Sequence, residues 1–277
     1  MAEAARCAVC GAATRPEEHF GPAPLRRCVA CDFMQLTGEV DPALYRDAYF
    51  AAYAGGDYLA HEAQRRRESR LRLELLARVC PPPAALLEVG AAAGFLLDEA
   101  RRLGYRATGI EPNAAMASHG RDVLGLDLRT GTVEAAALPT GSFDAACAFH
   151  VVEHLAAPVE AVRAIAAALQ PAGALLLEVP NAASAAARRR GGAWPPLDVP
   201  YHVGHHGPRS MRALLERAGL QVLRIDTVPF AFYGSRSRAE LLARGLAEGA
   251  RAGALLPAGP HRDGHQLLRA VARVPAS

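Results

Sequence analysis

Leu86-Leu87-Glu88-Val89-Gly90-Ala91-Ala92-Ala93-Gly94 decides the fold. An apolar run ends in an acid and a glycine. Three small residues and a second glycine follow, and Phe95-Leu96-Leu97-Asp98-Glu99-Ala100 then reads as a helix. The pattern predicts a strand, a tight turn and a helix start, a junction where a ligand meets free backbone N–H groups. The next apolar segment, Arg106-Ala107-Thr108-Gly109-Ile110, closes on Glu111. An acid at this place lies close to the roughly 20-residue offset at which a carboxylate reaches ribose hydroxyls. Together they predict a nucleoside-containing cofactor across the first two strands.

The dinucleotide fingerprint G-x-G-x-x-G carries a glycine where this chain has Ala92. A pyrophosphate needs the closest backbone approach, and the alanine methyl hinders it. Glu88 repels phosphate and attracts an amino group. S-adenosylmethionine offers an amino group, a sulfonium and a ribose diol, and no phosphate. Downstream, Leu138-Pro139-Thr140-Gly141-Ser142-Phe143-Asp144 leads into the apolar run Ala145 to Phe149. His150-Val151-Val152-Glu153-His154-Leu155 follows, then a helix from Pro158. Leu169-Gln170-Pro171-Ala172-Gly173 precedes the strand Ala174 to Val179.

With these motifs the chain resembles the class I S-adenosylmethionine-dependent methyltransferases, from about Leu71 to Val228 and again over Gln266 to Val274. The resemblance rests on E-V-G-A-A-A-G, G-I-E-P-N, S-F-D, E-H-L and L-Q-P-A-G. Ala92 and Ala172 replace glycines usual in that family. The resemblance implies an α/β, Rossmann-like sheet of seven strands with the last one antiparallel. It places Gly90, Ala91 and Gly94 against the methionine and ribose part, Glu88 facing the amino group, and Glu111 on the ribose diol. Pro112 and Asn113 border the adenine. Thr132 and Val133 stand where the family often grips the adenine amino group with an acid, so that contact falls to the Thr132 hydroxyl, to backbone or to Glu134. His150 falls near the transferred methyl.

Residues 41 to 58 are rich in aromatics: Tyr45, Tyr49, Phe50, Tyr53 and Tyr58. The segment resembles a lid over the cofactor, with Tyr53 as a cofactor contact; packing between the front module and the core is the equal alternative.

The 277 residues allow one large domain and a small accessory module, and 31 basic against 28 acidic residues leave a formal charge of only +3. That balance argues against a nucleic-acid partner. Every fixed cation is arginine, since the chain contains no lysine, which excludes Schiff-base chemistry and a P-loop lysine. The first seven residues lack an apolar signal core and no apolar run reaches 18 residues, so a cytoplasmic protein with no membrane association is expected.

Cys7-Ala8-Val9-Cys10 and Cys28-Val29-Ala30-Cys31 form two C-x-x-C knuckles separated by 17 residues. This spacing predicts a structural zinc ribbon with four thiolate ligands, Cys7, Cys10, Cys28 and Cys31, and no open coordination position. Disulfides are the competing reading, disfavoured in a chain without an export signal. Cys80 and Cys147 read as core residues.

The chain divides into a zinc-ribbon module at 1–38, a lid and linker helix at 39–80, and the methyltransferase domain at 81–277. The linker helix runs from Tyr58 to Arg78, with Arg65-Arg66-Arg67 as a solvated face, and Pro81-Pro82-Pro83 ends it. Strands are expected near 85–89, 106–110, 127–131, 143–149 and 174–179, with helices near 94–103, 113–124, 158–169 and 208–218. Gln221 to Val228 and Gln266 to Val274 supply the final strands, with a helix at 236–250 between them. Such alternation implies a parallel sheet with helices on both faces.

Methyl transfer from a sulfonium is an in-line displacement in which the substrate carries the nucleophile, so the enzyme aligns the two and supplies a base where the acceptor is protonated. His202, His154 and His150 are the candidate catalytic residues. His202 lies in Pro200-Tyr201-His202-Val203-Gly204-His205-His206, a stretch resembling a loop of sugar C-methyltransferases in which a histidine removes a proton. A metal held by His202, His205 and His206 is disfavoured, because no further ligand motif accompanies them. Arg188-Arg189-Arg190-Gly191-Gly192-Ala193-Trp194 reads as a solvent loop, with substrate phosphate or carboxylate recognition as the alternative.

The expected activity is methylation of a small-molecule acceptor in a biosynthetic pathway. A sugar C-methyltransferase is one alternative; a binding protein built from the zinc ribbon on a degenerate core is another. Ala92 and Glu88 argue against a nicotinamide oxidoreductase. Acceptor, methylated atom and oligomeric state are open.

Overall fold

The computed structural model describes residues 6–38, 58–229 and 265–276. The lid aromatics Tyr45, Tyr49, Phe50 and Tyr53 and the helix expected at 236–250 lie outside these residues. By internal contacts the chain forms two compact units.

One unit takes in 1–40, 150–162 and 178–271. It begins with β1 (Thr14–Glu17), β2 (Leu25–Cys28) and β3 (Met34–Leu36), an antiparallel meander. Phe20, Leu25 and Met34 form a small core with Ala186, Ala187 and Trp194. The front module therefore does not pack on itself alone. Trp194, 1% exposed, comes from the arginine segment expected to be a solvent loop. The segment is instead a short helix, Ala185–Arg190, followed by 3-10 turns. Its three arginines remain exposed while the indole is drawn into the apolar cluster. Glycine is required at 191 and 192, where a Cβ would come 2.5 Å from the His19 carbonyl oxygen and 3.0 Å from that of Phe20.

The other unit takes in 41–149, 163–177 and 272–277. Here β4 (Ala85–Val89) pairs in parallel with β5 (Arg106–Glu111) and β7 (Phe143–Phe149), and β5 pairs with β6 (Asp127–Thr130). β4 is buried along its whole length, as a parallel strand covered on both faces must be. The linker helix is α1 (Glu62–Leu76), and α2 (Phe95–Arg102) and α3 (Ala114–Asp122) follow β4 and β5.

Only Arg67 of the expected solvated triplet is exposed. Arg66 bonds Asp98 at 2.7 Å and Glu99 at 3.1 Å, and its guanidinium lies over the Phe95 ring. Arg65 bonds Glu68 and covers Tyr58. Two acids buried in α2, Asp98 and Glu99, draw Arg66 inward.

The remaining elements are α4 (Pro158–Ala168), β8 (Leu169–Pro180), β9 (Gly204–His205), α6 (Pro208–Arg217), β10 (Gln221–Val228) and β11 (Leu267–Arg273), with the Ala185–Arg190 helix as α5. The main sheet has seven strands in the order β10-β11-β8-β7-β4-β5-β6, and its last strand is antiparallel, as expected. Pro171-Ala172-Gly173, expected to precede the strand, lies inside β8, with Ala172 at a φ of +63° and its N–H donating to the Val274 carbonyl.

Candidate functional site

The turn after β4 is built on left-handed backbone. Gly90, Ala92 and Gly94 have φ of +72°, +47° and +83°. A side chain at Gly94 is strained by its left-handed backbone, and a Cβ there would push Leu126 Cδ1, 2.6 Å away, aside. Part of the N–H set at this junction is engaged within the turn itself. Gly90 and Ala91 both donate to the Ile110 carbonyl, at 2.9 and 3.1 Å, and Gly94 donates to that of Ala91. Ala92 donates to Glu111 Oε2 at 2.8 Å. Four N–H groups of the bend are thus spent on its own shape, which suits a ligand without phosphate.

Glu111 is fully buried at the end of β5, and its other oxygen accepts the Asn113 N–H at 2.8 Å. Burial pushes its pKa up to about 7, against the pull of those two N–H groups. Each carboxylate oxygen keeps a second lone pair for a ligand hydroxyl. Pro112 follows, and Asn113 caps α3 by accepting the Met116 N–H. Val133 is buried and Thr132 exposed.

Glu88 is buried in β4, and its Oε2 has no hydrogen-bond partner among the described residues. Burial raises its pKa well above the usual carboxylate range; Arg72 opposes this and Glu111 adds to it. A buried acceptor left unsatisfied costs about 1–3 kcal/mol. The amino group of a methionine moiety would supply the missing partner, so the cradle fits S-adenosylmethionine: an acceptor for an ammonium and an acid at the ribose position.

The three candidate histidines lie in the first unit, where one acid gathers them. Glu153 is buried, and its Oε1 takes His150 Nδ1 at 3.3 Å. His154 and His202 stand edge to face, 4.7 Å between ring centres. His154 Nδ1 bonds the Tyr201 carbonyl and His202 Nδ1 the Pro196 carbonyl, both at 2.8 Å. Burial opposes the Glu153 charge, but the His150 hydrogen bond and the neighbouring imidazoles outweigh it and hold its pKa down at about 2. Burial pulls His154 down to about 4, His205 to about 3 and His206 to about 4. His150 follows β7 with a φ of +57°, donates its backbone N–H to the Glu178 carbonyl, and brings Nε2 within 3.7 Å of Glu178 Oε1. Glu178 in turn bonds Arg269 within the same buried cluster. Glu153 had no chemical role in the sequence reading; its place between two candidate histidines in H-V-V-E-H was the missed signal.

The four front cysteines converge as the spacing predicts, with ligand atoms within 4.8 Å of one another. Cys7 Sγ lies 3.7 Å from Cys31 Sγ, and Cys10 Sγ 3.4 Å from Cys28 Sγ, too far apart for disulfides. Val9 and Cys10 donate backbone N–H to the Cys7 sulfur, and Ala30 and Cys31 to that of Cys28. Cys147 is buried in β7 and Cys80 half-buried.

Comparison with known proteins bears on the whole. The pattern of a methyltransferase domain family matches residues 59–225. A ubiquinone biosynthesis O-methyltransferase of Xanthomonas axonopodis pv. citri is 30% identical over 181 residues, covering 61% of this chain and 76% of that protein. The enzyme of the same name from Xanthomonas campestris pv. campestris strain B100 is 35% identical over 123 residues, 42% of this chain and 52% of that one. The chain spans about half the length of most such relatives. Among solved structures, a SAM-dependent methyltransferase of Thermotoga maritima, described as a possible histamine N-methyltransferase, superimposes with a TM-score of 0.57 at 17% identity, covering 81% of this chain and 97% of that one. One from Archaeoglobus fulgidus gives 0.56 at 19% identity, over 78% and 100%. The chain belongs to the methyltransferase domain family and is an S-adenosylmethionine-dependent methyltransferase.

Proposed function

We propose that this enzyme methylates an oxygen atom of a small-molecule acceptor in a biosynthetic pathway. The observation that carries the reading is the unsatisfied buried carboxylate of Glu88 beside a bend in which Gly90, Ala91, Ala92 and Gly94 spend their N–H groups internally. The names of its relatives favour oxygen as the methylated atom. The sulfonium donor supplies an electrophilic methyl group. Glu88 holds its amino group and Glu111 its ribose diol, while Gly90, Ala91 and Gly94 let it approach the backbone. Pro112, Asn113, Thr132 and Val133 border the adenine, and Tyr53 covers it. His150, His154 or His202 accepts the acceptor proton.

We assign a structural zinc ion to Cys7, Cys10, Cys28 and Cys31, supported by two knuckles that each aim backbone N–H groups at a sulfur. The ribbon spans 1–38, the linker 39–80 and the catalytic domain 81–277.

The test is calorimetry with S-adenosylmethionine and its demethylated product, followed by product mass analysis on hydroxylated aromatic acceptors. Binding of both compounds and a mass gain of one methyl group are expected. Absence of heat from a folded sample overturns the cofactor assignment, and methylation of amines or carbon alone overturns the oxygen assignment.

A further inference from the structure

The sequence gives no third ligand for a metal near His202, but the fold provides two. Glu153, His154 and His202 each offer a ligand atom, and these atoms lie within 4.8 Å of one another. The cluster belongs wholly to one unit and contains none of the cysteines.

Its hydrogen bonds prepare it for a cation. A carbonyl oxygen can only accept, so the bonds to Tyr201 and Pro196 fix the proton of both His154 and His202 on Nδ1. The lone pair of each neutral ring then sits on Nε2. This is the outer-shell arrangement of metal-bound imidazole, which fixes the tautomer and the ring plane. Both carbonyls come from the segment around the loop that also carries His202. Glu153 is 1% exposed; one oxygen meets His150 and the other, Oε2, has no hydrogen-bond partner among the described residues. Two lone-pair nitrogens and one unsatisfied carboxylate oxygen repel one another unless a positive charge lies between them. A network of protein hydrogen bonds would show donors directed at Oε2, and among the described residues it has none.

We propose that Glu153, His154 and His202 bind a divalent first-row transition cation, a centre separate from the four thiolates. Two imidazoles and one carboxylate suit manganese, iron, cobalt or zinc, whereas thiolates select softer ions. Three protein ligands leave coordination positions open, so this centre can take an oxygen ligand from a small molecule, which the four-thiolate site cannot. With a cation on the Nε2 lone pairs of His154 and His202, the base role falls to His150.

The test uses the full chain carrying one zinc ion per chain, so that the thiolate site is filled and the second centre is left open. Mn²⁺ is added, and the electron paramagnetic resonance of the free ion is followed. One bound Mn²⁺ per chain is expected in the wild type, with affinity weakened at least ~100-fold in Glu153→Gln and in His202→Gln, since loss of an outer-shell partner alone costs about 10- to 100-fold. Retained zinc and retained calorimetric binding of S-adenosylmethionine show that each variant is folded, and keep this result apart from the cofactor assignment. Co²⁺ added to the wild type supplies a second reading: weak visible bands of nitrogen and oxygen ligation rather than intense thiolate charge-transfer bands. Failure of the zinc-loaded wild type to bind Mn²⁺ or Co²⁺ overturns the proposal. Unchanged Mn²⁺ binding in the two folded variants overturns it as well.

Discussion

Glu111 Oε2 accepts the N–H of Ala92 at 2.8 Å, and Ala92 has a φ of +47°. A carboxylate from the second strand thus pins an alanine in the left-handed region, where a Cβ costs about 1 kcal/mol or more. Ala92→Gly removes that strain but adds freedom to the unfolded chain, so the expected gain is roughly 0.5 kcal/mol. Gly94→Ala should act in the opposite sense by at least about 1 kcal/mol, because its φ is +83° and its Cβ would meet Leu126. Denaturant midpoints decide it: a lower midpoint for Ala92→Gly contradicts the strain argument.

The same carboxylate gives a pH dependence. Burial raises the pKa of Glu111 from 4.5 to about 7, so the folded chain holds this proton more tightly than the unfolded chain. A raised folded pKa contributes stability that is complete below the unfolded pKa and is lost as pH rises through the folded one. Without methyl donor, the wild type should lose up to roughly 3 kcal/mol relative to Glu111→Gln between pH 4.5 and 7. Urea unfolding of both proteins across that range measures it. A difference independent of pH means that Glu111 is ionised throughout.

The ribbon is tied to the histidine loop by more than sequence proximity. β3 pairs with β9, and the Leu36 N–H bonds the Val203 carbonyl at 2.8 Å. Arg209, on α6, bonds Asp32 and the Ala30 carbonyl at the second knuckle. Cys28→Ser should release zinc and speed amide hydrogen exchange not only at 25–36 but also at 203–206. Exchange confined to the front module shows that the loop holds its shape without the metal.

The nucleotide-binding half of the fold was plain in the chain. β4, β5 and β7 fall within one residue of the expected limits, because apolar parallel strands bounded by Gly90, Glu111 and His150 leave little choice of register. The four cysteines were equally legible, since thiolate spacing is a local property. What was not legible depends on distant partners. Trp194 gave no local sign that it would join Phe20 and Met34, and Arg66 none that Asp98 and Glu99, more than thirty residues on, would bury it. Glu153 was in view throughout, but its meaning required His202, 49 residues away, to arrive beside His154.

Arg269 and Glu178 give the last prediction. They pair by a two-nitrogen fork within the sheet, Glu178 fully buried and Arg269 nearly so. Arg269→Met leaves a carboxylate in low dielectric, 3.7 Å from His150 Nε2. Removing one partner of a buried pair costs about 3–5 kcal/mol, whereas replacing both by apolar groups is near neutral. Arg269→Met should therefore destabilise strongly, and adding Glu178→Leu should recover most of the loss. The recovery should be incomplete, because the His150 contact goes as well. Denaturation of the two variants reads the outcome: a double variant no more stable than Arg269→Met would mean that Glu178 is protonated in the fold and that the pair is held by hydrogen bonding rather than by charge.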